Sequence, residues 1–272
     1  MKVAIIGGGG KMGQWFARFL LKEGIKVVIS DKNKEKLLKL ADMRGVDIAH
    51  SNIEAVKDAE VVLIGVPIEN FAEVVREIAP SIEPKQVVMD ITSIKQFPVE
   101  TMHKYIKAGK ILGTHPMFGP NTPEIKYQNF VLTPAEDAEE VLAAELAQWL
   151  KDRGFNVTIT SATRHDELMA TALGLSHFIG IVAGDSLLSL ADVEELKEVG
   201  GTSFQLLVGL INNVISEEAE FYATLQTSLP SIERVEEIFC EKSKMWADII
   251  RNKDKKEFIH RMESIKERIE RR

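Results

Sequence analysis

The chain has 272 residues, enough for one large or two medium domains, and its 45% hydrophobic content supports a real core. A net charge of −7 without a basic face excludes nucleic acid as an expected partner. One cysteine, Cys240, excludes a disulfide framework and the four-cysteine and two-cysteine, two-histidine zinc patterns; within a helical pattern it reads as a core residue. No apolar run reaches transmembrane length and the N-terminus lacks a signal-peptide layout, so a soluble cytoplasmic protein is expected.

The chain opens with KVAII at 2–6, a β-branched run that reads as a strand buried on both faces. It runs into GGGGKMG, residues 7–13, which contains Gly8-x-Gly10-x-x-Gly13. An amphipathic helix follows, with Trp15, Phe16, Phe19 and Leu20 at helical spacing, and a second apolar run ends at Asp31. Gly8 is expected to make the turn, Gly10 to let a pyrophosphate approach the backbone, and Gly13 to let the helix lie close on the sheet. The helix start, with Gly9, Lys11 and Met12, offers N–H groups and partial positive charge to phosphates. Asp31 follows Gly13 at roughly the 20-residue spacing of an acid that accepts both hydroxyls of an adenosine ribose. A carboxylate there repels a 2′-phosphate, which favours NAD over NADP; Lys32 and Lys34 soften that preference.

Past Asp31, KEKLLKLADMRG reads as a helix ending near Gly45, 46–49 as a short edge strand, and 52–58 as a brief helix capped by Asn52. Strands are expected at 61–67, 86–93, 111 onward, 130–134 and 156–161, with helices at 70–79, 97–107 and 137–153, the last stopped by Gly154. This alternation predicts a mostly parallel, doubly wound sheet with ligands at the strands' carboxyl ends. Those ends carry Val66-Pro67, Thr92-Ser93 and Thr114-His115. From residue 162 no strand-like run appears, and 164–190, 192–198, 203–227, 231–251 and 254–271 carry helical periodicity. The division is therefore 1–161, a dinucleotide-binding domain, and 162–272, an all-helical domain. GLSHFIGIVAG and FQLLVGLINNVI are apolar nearly all round, so a homodimer interface made of helices is expected.

His115, in THPMFGP just past a strand's end, is the first candidate for a general base, because an imidazole titrates near neutrality. A backbone-bonded loop histidine is the alternative. Ser93 offers a hydroxyl to bridge His115 and a substrate oxygen, or serves as a turn cap. Lys95 reads as a solvated charge, and His50, His103 and His260 as surface residues. His165 and His177 stand twelve residues apart, about 3.3 turns, and so do not share a helix face for metal chelation. His165-Asp166 reads as a cap; His177 is either a core histidine or a ligand for a substrate anion.

Together GGGGKMG at 7–13, VP at 66–67, DITSIK at 90–95, THPMFGP at 114–120, RHDELMATALGLSHF at 164–178 and EEAEFYATLQ at 217–226 resemble the prephenate dehydrogenase family, which includes arogenate dehydrogenases. The resemblance covers nearly the full length. It implies a Rossmann-type N-terminal domain, a helical dimerisation domain, and oxidation of prephenate with NAD or NADP, with loss of CO₂, to 4-hydroxyphenylpyruvate on the way to tyrosine. It also implies that His115 is the catalytic histidine, Ser93 the active-site serine and His177 a substrate-binding residue. Where the family places a carboxylate-gripping arginine, the flanking pattern GGTSFQLL puts Gln205, a neutral donor. Arg164, Lys126 or a partner subunit's residue are the candidate replacements. Against this stand two other readings. A β-hydroxyacid or imine reductase would need a lysine or aspartate on the interdomain helix. A non-catalytic NAD-binding regulatory protein would draw support from Gln205.

Overall fold

The structure, a computed structural model, describes all residues except 39, 41–44, 123–124, 191, 217 and 272. The described residues form two compact units, Met1–Leu168 and Met169–Arg272.

Eight strands form one sheet in the first unit: β1 (Lys2–Ile6), β2 (Lys26–Ser30), β3 (Val46–Ile48), β4 (Val61–Ile64), β5 (Val87–Asp90), β6 (Lys110–Pro116), β7 (Asn129–Thr133) and β8 (Asn156–Ile159). Their order is β3-β2-β1-β4-β5-β6-β7-β8. The first six run parallel; β7 pairs antiparallel with β6 and β8 follows β7, so the sheet is mostly parallel as expected. Helices α1 (Lys11–Lys22), α2 (Lys34–Leu38), α3 (Asn52–Val56), α4 (Ile68–Ile78), α5 (Gln96–Tyr105) and α6 (Asp137–Lys151) connect the strands. The pleat of β1 shows why both faces need cover: Val3 and Ile5 point to a core with Trp15, Phe16 and Phe19 of α1 and Ala143, Ala147 and Leu150 of α6. Ala4 and Ile6 point to the opposite core, with Phe71 and Val75 of α4 and Val99 and Met102 of α5.

The pairings Ile6↔Ser30, Ile6↔Ile64 and Ile64↔Asp90 align the carboxyl ends of four neighbouring strands. The glycine turn, Asp31, Val66 and Thr92 therefore emerge along one edge. Strand and helix ends mostly fall within three residues of the expected ones. The expected helix after Asp31 is described only as α2, its remainder lying partly outside the described residues. The cap of α3 is Ser51, whose side chain accepts the Glu54 N–H, rather than Asn52; Asn52 instead accepts the Ser30 hydroxyl at 2.8 Å.

Helix α7 (Ala162–Met169) falls almost wholly in the first unit, one helix later than the expected boundary, because His165 and Asp166 bond into that unit's core. The second unit is all helical: a π-helical turn at Ala170–Leu175, then α8 (Ser176–Leu190), α9 (Val193–Val199), α10 (Thr202–Ile215), α11 (Ala219–Ser228), α12 (Ile232–Arg251) and α13 (Lys255–Glu270). The single helix expected over 203–227 is two, since Glu218 takes extended backbone angles and starts α11. Within this unit α8 and α10 pack closely, with Gly180 against Val214 and Gly184 near Ile211. Ile181, Val182, Leu188, Leu190, Leu206 and Ile215 remain exposed. Cys240 is exposed on α12, not in a core, because the buried side of that helix is carried by Ile232 and the half-buried Val235 and Phe239.

One expectation on length fails. Residues Ala162–Leu190 are long and apolar enough to cross a membrane: an 18-residue window within them has a mean hydropathy of 1.5, and 11% of that window is buried. The helix continues through the π turn, and between Leu168 and Leu190 only Asp185 carries a formal charge.

Candidate active site

The turn between β1 and α1 is built by backbone geometry. Gly7, at φ +80°, makes the reversal that was expected of Gly8. The N–H groups of Gly7 and Gly8 both donate to Ser30 O, at 2.9 and 3.0 Å, which locks the turn to β2. Gly8 is required for another reason: a Cβ there would lie 2.6 Å from Ile29 Cβ. At Gly13 a Cβ would strike Gly7 O and lie 2.8 Å from Gly8 Cα, so this glycine does set how closely α1 approaches the turn. Gly10 is the N-cap of α1, contributes no side-chain cap, and is followed by a first turn without acidic residues. The first-turn N–H groups of a helix, here from Met12 and Gly13, have no intrahelical acceptor and suit an anion. Asp31 closes the cradle: Oδ2 accepts the Gly9 N–H at 3.0 Å and Oδ1 the Asn33 N–H at 2.8 Å. Lys32, beside it, is exposed. Val66 and Pro67 follow β4, Pro67 serving as the N-cap of α4.

His115 lies at the end of β6 rather than in the loop beyond, because β7 extends the pairing: His115 opposes Val131 and Pro116 opposes Phe130. The following loop is drawn onto α1, with Phe118 packed 4.7 Å from Trp15 and the Trp15 indole N–H donating to Thr122 O at 3.1 Å. The His115 side chain is buried, at 4% exposure. Its Nδ1 lies 2.9 Å from Nε2 of His165, and Nδ1 of His165 lies 2.7 Å from Oδ1 of Asp166. Asp166 also accepts the backbone N–H groups of Lys95 (2.7 Å) and Gln96 (2.9 Å). Asp166 thus caps α5, not its own helix.

Lys95 is not solvated. Its side chain is fully buried and pairs with the fully buried Asp90. Nζ also donates to Thr114 O at 2.6 Å and to Thr92 Oγ1 at 3.2 Å. Thr92 N–H donates to Asp90 Oδ2, and Thr114 N–H to Asp90 Oδ1. A compact ion pair therefore sits directly beneath the carboxyl ends of β5 and β6. Ser93, half-buried, follows β5; the His115 hydrogen bond goes to His165 and not to Ser93.

Burial, first, and then the neighbouring His165 and Lys95 push the His115 pKa well below 6.5, so this imidazole is neutral across the neutral range. This departs from the near-neutral titration expected of an ordinary histidine. Burial likewise lowers Lys95, opposed by Asp90. Asp90, Lys95, His165 and Asp166 were missed as site residues. The only available signals were the adjacency of His165 and Asp166 and the Asp and Lys that bracket DITSIK.

Two expected site residues belong to the second unit. His177, on α8, meets the Tyr222 ring edge-on at 4.9 Å, and its Nδ1 is buried without a partner. Gln205, in the first turn of α10, is exposed.

A parallel sheet with a glycine turn, a helix N-terminus and an acid at the end of the second strand is the architecture of dinucleotide-binding proteins. The model of the prephenate dehydrogenase nucleotide-binding domain matches residues 16–159, more than half of the chain. The chain belongs to the prephenate/arogenate dehydrogenase family. It is 33% identical over 262 residues, 95% of its own length, to a probable arogenate/prephenate dehydrogenase of Methanocaldococcus jannaschii. Against the T-protein of Haemophilus influenzae it is 26% identical over 98% of its length. It spans 59% and 66% of those two relatives. In fold it is similar to prephenate dehydrogenase of A. aeolicus, solved with hydroxyphenyl propionate and NAD+. That match has a TM-score of 0.82 at 19% identity and covers 99% of this chain and 98% of the other. Synechocystis arogenate dehydrogenase follows, with a TM-score of 0.74 at 17% identity and 97% of both chains covered.

Proposed function

We propose that this chain is an NAD-dependent dehydrogenase that oxidises prephenate, with loss of CO₂, to 4-hydroxyphenylpyruvate. The observation that carries the reading is a buried, neutral imidazole, His115, on the strand-end edge that also holds the glycine cradle. The cradle fits a dinucleotide: Gly10 and the start of α1 would hold the pyrophosphate, and Asp31, fixed by two backbone N–H groups, would accept the ribose hydroxyls. Bound there, NAD supplies the hydride acceptor. His115 takes up the ring hydroxyl proton as the hydride leaves, and Ser93 orients that hydroxyl. Aromatisation of the ring makes loss of CO₂ downhill, so alignment and proton uptake are what the protein contributes. His177, with an unpartnered buried nitrogen, and Gln205 are assigned to the substrate's polar groups.

Arogenate is the second reading, since the Methanocaldococcus relative's name covers both substrates. Mixing protein and NAD with each acid, and following reduced-cofactor absorbance, separates the two; no turnover on either would sink the reading. Gly13→Ala is expected to weaken NAD binding by about tenfold or more, ~1.4 kcal/mol, because its Cβ forces α1 off the turn. Calorimetric titration checks this.

The exposed apolar side chains of α8 and α10 support a homodimer through the helical unit, and the same cover accounts for a membrane-length helix in this protein. Sedimentation analysis should return twice the 30.4 kDa chain mass.

A further inference from the structure

We propose that His165 and Asp166 are positioning residues that hold His115 in the tautomer protonated at Nδ1, so that Nε2 is the atom that receives the substrate's proton. The argument is one of donors and acceptors. Asp166 accepts backbone N–H groups on both oxygens, from Lys95 on Oδ1 and Gln96 on Oδ2. Two fixed donors orient the carboxylate and keep it an acceptor. The 2.7 Å contact to His165 Nδ1 then requires the proton on that nitrogen. In the assigned tautomer His165 accepts through Nε2, and His115 donates from Nδ1 across the 2.9 Å contact. His115 Nε2 keeps its lone pair, and it makes no hydrogen bond among the described residues.

The charged groups around His115 fit this assignment. From the end of β5 and the start of α5 come Asp90 and Lys95, paired with each other; from α7 come His165 and Asp166. When Nε2 of His115 takes the hydroxyl proton, the new imidazolium donates from Nδ1 to His165, whose far side rests on the Asp166 carboxylate. The one uncompensated negative charge of the cluster thus lies two hydrogen bonds from the proton acceptor. This is the logic by which a carboxylate orients a catalytic histidine, extended here by one imidazole.

The role assigned to Nε2 rests on the proposed function; the tautomer does not. Nitrogen NMR of the full chain, ¹⁵N-labelled at histidine, reads the tautomer directly at neutral pH. The expected spectrum has Nδ1 protonated in both rings and His115 Nε2 bare. A spectrum with His115 protonated on Nε2, or with His165 as an imidazolium, overturns the proposal. Kinetics then test the role. His165→Leu is expected to lower kcat by about 10²–10³-fold with KM within about threefold, since an unoriented base loses most of its advantage. His165→Gln, whose carbonyl can accept the hydrogen bond from His115 Nδ1, should stay within about tenfold of wild type. Equal losses in the two variants overturn the positioning role. If the wild-type chain turns over no cyclohexadienyl acid, the functional reading fails while the spectrum still decides the tautomer.

Discussion

His115→Asn is expected to lower kcat with prephenate by about 10²–10⁴-fold, the range for removing a general base, with NAD affinity unchanged. The substitution removes the proton acceptor but leaves the glycine cradle intact, because the cradle is fixed by Ser30 O and Asp31 rather than by β6. The pH profile of kcat/KM gives an independent reading of the same group. A base works only when deprotonated, and burial beside His165 and Lys95 pulls the His115 pKa well below 6.5. Turnover should therefore hold level as pH falls through the neutral range and decline only at distinctly acid pH. A decline centred at or above 6.5, absent in the Asn variant, would show that the imidazole is not the buried group described here.

The second large effect is on stability. Lys95→Met is expected to cost about 3–5 kcal/mol, the usual penalty for stranding one member of a buried ion pair. The loss leaves Asp90 fully buried with no cation, held only by the amides of Thr92 and Thr114 and the hydroxyl of Thr92. Each kcal/mol moves the midpoint of a domain this size by roughly 2–4 °C, so thermal unfolding should shift by at least about 6 °C. The double variant Lys95→Met/Asp90→Asn should recover part of that loss, because the stranded charge is then gone. A single variant as stable as wild type would mean that Asp90 is hydrated or uncharged in the folded protein.

How much of this was legible follows from where each contact comes from. The glycine turn was readable because its constraints are local. Gly8 and Gly13 answer to neighbours within the same βαβ unit, although which glycine bends the chain was misplaced by one. The strands were readable because residues such as Val3–Ile6 must be apolar on both faces of a covered parallel sheet. His115 stood out by its company, HPMFGP, and the structure buries it. Lys95 did not stand out. An exposed and a buried lysine look alike until the partner is known, and here the partner charge, Asp90, is the last residue of the preceding strand. Asp166 meets Lys95 across 71 residues of sequence, and His165 meets His115 across 50. No periodicity or short motif records such meetings. Cys240 shows the converse error: a helical pattern fixes a residue's spacing, but packing decides which side of α12 is covered.

Sequence by itself determined the alternation of strands and helices, the anion-ready turn and the imidazole at a strand's end. Each depends on backbone conformation or on apolar spacing within a few residues. Only the tertiary structure decided that β7 runs backward beside β6, that α7 docks on α5, and that a lysine–aspartate pair and a second histidine close around the first. Burying a charge or an imidazole is costly unless a partner is supplied, and strand order and register decide which partner arrives.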